Sequence, residues 1–430
     1  MKQILILSLA LLGTLNSLAS DPVFLLQEIH VSGNNSISTE LIVAESLLNL
    51  SKAYSEKELQ DAKRRIVRLP FVLDANFALE KGARRDTYIL VISVEEVARF
   101  SGLLDASVRR IEGYDQNDTI KLGLGLRQSV GAYGVLYGTY NAPWTLFGGE
   151  DNRDSFNVGY SHYNLFNTKM SLNYNLTFLP GESRNLGSFS SDGSLSPSSL
   201  LLENKDTFSS SLTLNLPIGG NQTLRGQFSY YRNSSNFERS IDQVPTSSGS
   251  NVGDGYAALF GWEFNTTNDN FLPTEGLLVS LSGGLRSSEG RGHFLSFPNY
   301  DRSESEGWST GVDLKRYKAM GKHSFSGGLS ANRQKSDYEY SGVETEAFSS
   351  GFTVASLTGG YSMDMWGRDR TLKYGDFRFL ANYSLNWSNS EAFSSLSDAR
   401  ERTRSTVDAG LAFRNRWMVV NLKMFYEMTH

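Results

Sequence analysis

The chain has 430 residues, a formal net charge of −5, and 39% hydrophobic residues, although 12% of its residues are aromatic. This balance argues against one large apolar core and against disorder, and the acidic charge argues against a nucleic-acid partner. Because the chain has no Cys, the sequence excludes disulfide bonds, thiolate metal sites and a Cys nucleophile. No internal run reaches the ~18 apolar residues of a membrane-spanning helix.

The first 20 residues have the pattern of a secretory signal peptide. Lys2 gives a positive start, residues 4–12 form a short apolar stretch, and Ser17 and Ala19 place small residues at a cleavage site. A buried amino-terminal helix is the alternative interpretation. We predict that residues 1–20 direct the chain out of the cytoplasm.

Residues 21–97 predict a small α+β domain. Ser55 followed by Glu58 has the spacing of a capping box, and an apolar stripe of helical period continues until Pro70. Alternating apolar residues predict strands on either side of the helical part. The predicted elements, in chain order, are a strand at 24–31, a helix at 38–50, a helix at 55–69, and strands at 72–80 and 87–94.

From residue 98 to residue 430 the apolar pattern has a period of two. Apolar and polar residues alternate over whole segments, for example 170–178, 208–216 and 377–387. Such strands suit a tilted crossing of a bilayer, and they must close into a barrel because backbone groups in lipid need partners. We therefore predict an antiparallel transmembrane β-barrel over 98–430. A soluble β-sandwich or propeller, with shorter strands and a core shared between sheets, is the alternative.

The connections between the predicted strands alternate between long and short. We count 14 or 15 strands, starting near Phe100, from these connections. A strand near 353–357 makes the number odd, which conflicts with a chain that ends on the side where its barrel begins. One long loop over 335–372 restores an even number. Long polar loops are predicted at 143–152, 181–204, 234–252, 287–305 and 335–350, and short turns at 129–132, 165–168, 217–220 and 318–322.

Motifs in both parts of the chain carry a family resemblance. The element order in 21–97, with I-x-V-x-G-N at 29–34 and Y-x-L-x-I-x-V-x-E at 88–96, resembles a polypeptide-transport-associated (POTRA) domain. A turn of the form D-x-x-x-P-T-x-G is made by Asp269, Pro273, Thr274 and Gly276. Together these motifs resemble the BAM/TAM-like barrel-assembly superfamily, also called the bacterial surface antigen family. The resemblance implies a periplasmic POTRA domain and an outer-membrane barrel of about 16 strands.

The turn motif also has a direct conformational meaning. Pro273 restricts φ, and Gly276 permits a positive φ, so we expect a tight turn on the periplasmic side.

A second family motif is altered in this chain. In the resembled family, a loop after a Gly-Gly pair carries an arginine in the form [VL]-R-G-[FY], and that loop folds into the lumen. Here the Gly-Gly pair is not followed by R-G-[FY]. The candidate functional loop therefore consists of Gly359, Gly360, Asp364, Trp366 and Arg368, with Arg368 as the substitute for the missing arginine.

Two functions of different classes remain open. In the first, the protein assists assembly, insertion or translocation of outer-membrane or surface proteins, because a POTRA sheet edge and a seam between the first strand (about 100–108) and the last (about 418–428) could pair with client strands. In the second, the protein is a passive pore or a structural module that has lost insertase activity. A barrel lipase using His162 is a third, weaker hypothesis.

The sequence predicts no enzymatic chemistry. Its five His residues lie on separate segments, and neither a metal-ligand spacing nor a nucleophile elbow is present, so we predict no catalytic residue, cofactor or metal. The expected partners are outer-membrane lipids, unfolded client polypeptides and accessory periplasmic or outer-membrane proteins, without nucleic acid. The expected location is the bacterial outer membrane, with the POTRA domain in the periplasm.

Overall fold

The computed structural model divides the chain into a small domain and a barrel. It describes residues 23–111, 119–145, 154–180, 182–189, 195–241, 244–292, 300–342, 345–366, 375–392 and 400–429. The predicted signal peptide lies outside the described residues. Of the described helices, none has the length and apolar character needed to cross a membrane.

The amino-terminal domain, residues 23–97, is a four-stranded sheet with two helices. The strand order is β2-β1-β4-β3, and β1 and β4 are parallel. The predicted helices and strands are present, although the first helix ends at Ser46 rather than near residue 50, and a three-residue strand before the second helix is added to them. The elements are β1 (Val23–Ser32), α1 (Thr39–Ser46), β2 (Ala53–Ser55), α2 (Glu56–Val67), β3 (Val72–Lys81) and β4 (Thr87–Glu96).

Local sequence chemistry explains the helices of the domain. Ser38 caps α1 by accepting the N–H of Leu41 at 3.1 Å, and the predicted capping box at Ser55 and Glu58 is confirmed. Each cap satisfies backbone donors that a helix start leaves without partners. The apolar stripe of α2 is buried and belongs to the core of the domain, together with buried residues of the sheet.

The barrel is a single closed sheet. Segments β9 and β10 count as one strand, because both pair with β11 in the same register. Leu179 of β9 pairs with Thr207, and Glu182 of β10 pairs with Asn204. The 16 strand segments of the sheet therefore form a ring of 15 strands. The segments are β5 (Phe100–Ile111), β6 (Thr119–Val130), β7 (Gly134–Thr145), β8 (Ser155–His162), β9 (Ser171–Leu179), β10 (Glu182–Phe189), β11 (Leu195–Gly219), β12 (Gln222–Ile241), β13 (Val244–Asn265), β14 (Gly276–Gly292), β15 (Tyr300–Met320), β16 (His323–Gly342), β17 (Thr345–Asp364), β18 (Asp376–Ala392), β19 (Arg400–Arg414) and β20 (Met418–Thr429).

The closed ring confirms a barrel rather than a sandwich or propeller. Large apolar side chains are exposed on its outer face, among them Leu124, Phe228, Phe260 and Leu285. An outward apolar face over a polar interior is the arrangement of a membrane-spanning barrel.

The predicted long loops are mostly wrong. Most of 195–204, 234–252 and 335–350 is paired strand, and the described strands β11–β17 reach lengths of 17 to 25 residues. These outer parts are rich in Ser, Asn and Gly. Where a strand extends beyond the membrane, neither face needs to be apolar, so the alternation that marks a strand disappears although the backbone ladder continues.

The even strand number was also wrong. Residues 335–372 do not form one loop, because β16 and β17 pair along their full lengths, from His323 with Met363 to Ser341 with Thr345. The ring closes through β20 and β5, which run parallel. With an odd number of strands, the last strand runs in the direction of the first. Strand β20 therefore ends at the barrel end opposite to the one where β5 begins.

Candidate functional site

The barrel end that carries the amino-terminal domain, here called the mouth, is the first candidate site. The chain passes from the domain to β5 through a short link, in which Ala98 donates to the carbonyl of Arg416 at 2.7 Å. Strand β5 starts at this end, and so does β20. The described turns of the mouth lie at 131–133, 163–170, 220–221, 266–275, 321–322 and 415–417.

One side of the domain packs directly on the barrel wall. The ring of Phe71 meets the ring of Tyr163 edge to face at 5.3 Å, and Val135, 4% exposed, belongs to the same buried cluster as the core of the domain. The hydroxyl of Ser38 donates to the hydroxyl of Tyr133 at 3.2 Å, and Arg127 donates to the carbonyl of Pro70. The domain therefore lies against β6–β8 at the mouth.

Two arginines, Arg64 in α2 and Arg68 directly after it, reach another part of the mouth. Arg68 donates to the side chain of Asn221 at 3.2 Å and to the carbonyl of Asn265. Arg64 forms an ion pair with Glu275 at 3.4 Å. The side chain of Asn270 in turn donates to the carbonyl of Arg68 at 3.0 Å. Helix α2 is thus tied to the turn between β13 and β14.

The β13–β14 turn, residues 266–275, is held in shape by its own side chains. The Asn268 carboxamide accepts the backbone N–H of Thr274 at 2.9 Å and of Glu275 at 3.1 Å. The Asp269 carboxylate accepts the N–H of Phe271 at 2.6 Å and of Leu272 at 3.1 Å. These bonds pair backbone donors that a ten-residue turn would otherwise leave to water.

The β13–β14 turn folds inward and crosses the mouth. Both outer nitrogens of the Arg414 guanidinium donate to the Asp269 carboxylate, one of them at 3.1 Å, and Arg414 lies 5.6 Å from the ring of Phe271. Arg414 is on β19, and four strands, β15–β18, separate it from β14 along the ring. Phe271 and Leu272 line a cavity of about 330 Å³ together with wall residues of β15–β19. The tip of the turn therefore lies in the lumen.

The structure places the predicted turn motif at this position. The positive φ expected at Gly276 is confirmed at 112°, and an added Cβ there would lie 2.4 Å from the carbonyl oxygen of Thr266. The expectation of a tight turn was incomplete, because Asp269, Pro273 and Thr274 belong to a ten-residue turn that enters the lumen.

The candidate functional loop was wrongly placed. Gly359 and Gly360 lie inside β17, where Gly360 pairs with Ser326 and Asn382, and Asp364 is the last residue of that strand. Small residues are needed here for another reason: a Cβ on Gly360 would meet the side-chain oxygen of Ser326 at 2.3 Å. Gly360 thus serves close packing in the wall, whereas an added Cβ at Gly359 would face open space.

The remaining residues of the predicted loop lie at the mouth or beyond the described residues. Trp366 follows β17 and packs against the rings of Phe377 and Phe413, at 5.3 and 5.7 Å. Arg368 lies outside the described residues. An ion pair between an inward turn and the wall is present at the β13–β14 turn, where the turn supplies the carboxylate of Asp269 and the wall supplies Arg414.

The seam between β20 and β5 is the second candidate site. Ten parallel residue pairs join the strands, from Met418 with Gly102 to Glu427 with Ile111. Inside the lumen the carboxylate of Glu427, 8% exposed, accepts from Arg109 on β5 and, at 3.1 Å, from Arg404 on β19. This cluster ties three neighbouring strands across the seam. Sequence analysis missed Glu427, whose isolated carboxylate among apolar residues of the last strand was the available signal.

No protein-family model and no curated protein matches the chain. Among solved structures, CdiB from Escherichia coli is similar at 11% identity and a TM-score of 0.47, over 91% of this chain and 70% of that one. BamA from Haemophilus ducreyi lacking POTRA domains 1–3 is similar at 12% identity and a TM-score of 0.41, over 91% of this chain and 79% of that one. At these values the likeness concerns the barrel fold alone.

A carboxylate of the domain meets three cations in a cavity at the mouth. Glu45 at the end of α1 lines a cavity of about 170 Å³ with Arg65, Arg68 and Lys169. Burial raises the pKa of Glu45 from 4.5 to about 7, against the opposing effect of these cations.

Among the described residues no cluster of three or more His, Asp or Glu could hold a metal ion. His162 hydrogen-bonds the hydroxyl of Tyr160 at 3.0 Å.

The raised pKa of Glu45 predicts a pH-dependent domain. Because the folded state binds this proton more tightly than the unfolded state does, the contribution of Glu45 to stability grows as the pH falls from about 7 towards 4.5. Glu45→Gln should raise the free energy of unfolding above pH 7, by ~3 kcal/mol at most, and remove this pH dependence. The measurement is thermal unfolding of the full chain, followed by its helical circular-dichroism signal at several pH values.

The matched control for Glu45 is Glu40→Gln, which changes an exposed carboxylate of the same helix. We expect Glu40→Gln to retain the pH dependence of the unmodified protein. Equal pH profiles for Glu45→Gln and the unmodified protein would contradict the prediction.

Proposed function

We propose that the protein is an outer-membrane β-barrel that assists assembly, insertion or translocation of other outer-membrane or surface proteins by strand pairing. In this proposal residues 21–97 are a POTRA-type domain in the periplasm, and residues 1–20 are a signal peptide. The partners are outer-membrane lipids and unfolded client polypeptides, with accessory periplasmic or outer-membrane proteins as further candidates and no role for nucleic acid. No enzymatic step or cofactor is required.

The seam is the observation that carries the proposal. Parallel pairing is slightly less stable per residue than the antiparallel pairing elsewhere in the wall. The described segments of β20 and β5 have 12 residues each, whereas that of β11 has 25. A client strand that replaces one seam strand would satisfy the same backbone groups by β-strand addition.

The domain offers a second pairing edge. Among the described residues, β3 pairs only with β4, so its other edge presents backbone donors and acceptors along Val72–Lys81. Its first residues, Leu73 and Asp74, line a cavity of about 370 Å³ between the domain and the mouth. An unfolded chain paired with β3 would therefore lie next to the barrel entrance, and backbone pairing accepts clients of many sequences.

The proposal is tested by locking the seam. The chain has no Cys, so two introduced cysteines form a unique pair. Leu104→Cys with Val420→Cys joins the partner residues of β5 and β20. The control, Leu104→Cys with Leu124→Cys, joins partner residues of β5 and β6 instead. The readout is the surface proteome of cells in which either variant replaces the unmodified protein, with and without reductant.

We expect the oxidised seam pair to lower the level of at least one outer-membrane protein to that of depleted cells, and reductant to restore it. The control pair should have no effect. A surface proteome that stays unchanged on depletion and on seam locking would overturn the assembly role. In that case, steady single-channel conductance would support the alternative of a passive pore or structural module.

A further inference from the structure

We propose that the β13–β14 turn is a releasable strap that closes the mouth of the barrel, and that the Asp269–Arg414 pair is its latch. This inference goes beyond the assembly role, because it concerns the passage through the barrel itself and holds whether or not clients bind. It follows from where the turn starts, what it crosses and how its far end is held.

The strap has two anchored ends. Its outer end is tied to helix α2 through the ion pair of Arg64 with Glu275, and at its tip Asn270 donates to the carbonyl of Arg68, directly after that helix. Its inner end reaches Arg414 on β19, beyond the four strands β15–β18. One element therefore connects the domain to a distant part of the wall, and any displacement of the domain acts on the latch.

The latch is well enclosed but imperfect. The side chains of Arg414 and Asp269 are 15% and 12% exposed, so the pair is strengthened by its low-dielectric surroundings. The Nε atom of Arg414, however, is buried and has no hydrogen-bond partner among the described residues. The hydrogen bonds from Arg414 to the turn therefore run through its two outer nitrogens, and loss of the Asp269 carboxylate removes both.

The turn can move as one body. The bonds made by Asn268 and by Asp269 within the turn are local, so they survive when the turn leaves the lumen. Release then costs the contacts of Arg414 with Asp269 and Phe271, together with the apolar contacts of Leu272, which is 7% exposed. The turn therefore has two states: a closed state with the turn in the lumen and a released state with the turn outside it.

Conductance of the purified full-length protein in planar bilayers tests the latch. Asp269→Asn removes the charge at nearly constant size, and we expect it to raise the open probability about 10-fold or more. Asp376→Asn is the matched control, since Asp376 pairs with Arg378 on the same strand at the same mouth, with similar exposure, but does not hold the turn. We expect this control to conduct like the unmodified protein.

Two further variants separate a latch from a folding defect. Arg414→Gln removes the charge on the wall side, leaves the bonds of Asp269 within the turn intact, and should raise the open probability as much as Asp269→Asn does. Glu275→Gln breaks only the half-exposed anchor to Arg64 and should raise the open probability about twofold. An unchanged conductance in both Asp269→Asn and Glu275→Gln, or an equal rise in Asp376→Asn, would overturn the inference.

Discussion

Glu427→Gln is expected to weaken the barrel at its seam more than at any other place. The substitution removes the carboxylate that Arg109 and Arg404 share and leaves the two guanidinium groups near each other in the lumen. Glu427 is 8% exposed, so water competes little for its carboxylate, whereas each arginine is about half exposed and regains part of its hydration when the partner is lost. We expect a loss of about 2 kcal/mol in the free energy of unfolding, from two charge-assisted hydrogen bonds.

Two measurements together give the size of the stability loss and the strands in which it occurs. Heat-modifiable mobility in detergent gels gives the temperature at which the barrel unfolds, and hydrogen exchange gives the protection of individual strands. We expect faster exchange of the backbone amides of β5 and β20 in Glu427→Gln, and little change in β12–β14, whose pairing does not depend on Glu427.

Glu304→Gln serves as the control for Glu427. Glu304 pairs with Arg302 on its own strand, and both side chains are about half exposed, so the pair ties no two strands together. Its loss should change stability by less than ~1 kcal/mol. If Glu427→Gln were as stable as Glu304→Gln, the charge cluster would not hold the seam, and the seam would rest on backbone pairing alone.

Patterns within a single element were predictable from the sequence. The capping box at Ser55 and the short turns of the mouth depend on residues that are close in the chain. The structure has the capping box as predicted and the short turns within about three residues of the predicted bounds. Alternation located the membrane-crossing parts of strands for the same reason. It failed in 195–204, because alternation reports a difference between the two faces of a strand and not the backbone pairing itself.

Pairs between distant residues were not predictable in this way. Asp269 belongs to a motif that the sequence analysis singled out, but its partner Arg414 follows 145 residues later and has no local signal. The register after Gly359 and Gly360 predicted an arginine loop, but both glycines lie inside β17, where Gly360 packs closely against Ser326. A register match identifies a position in the chain, whereas the latch depends on which strands the ring brings together.

The direction of the last strand predicts on which side of the membrane the end of the chain lies. Each strand of an antiparallel ring reverses direction, so a ring of 15 strands returns its final strand parallel to the first, as β20 and β5 are. A tag placed after His430 is therefore expected on the side opposite to the domain. A ring of 14 or 16 strands would bring the same tag to the side of the domain.

Site-directed labelling of intact cells distinguishes these outcomes. A cysteine appended after His430 should react with a membrane-impermeant maleimide in intact cells, because the far end of the barrel faces outward when the domain is periplasmic. Lys322→Cys, an exposed position in the β15–β16 turn at the mouth, should react only after the outer membrane is permeabilised. Labelling of both positions from the same side would contradict the parallel seam, since one antiparallel ring cannot place a mouth turn and the end of a fifteenth strand on one face.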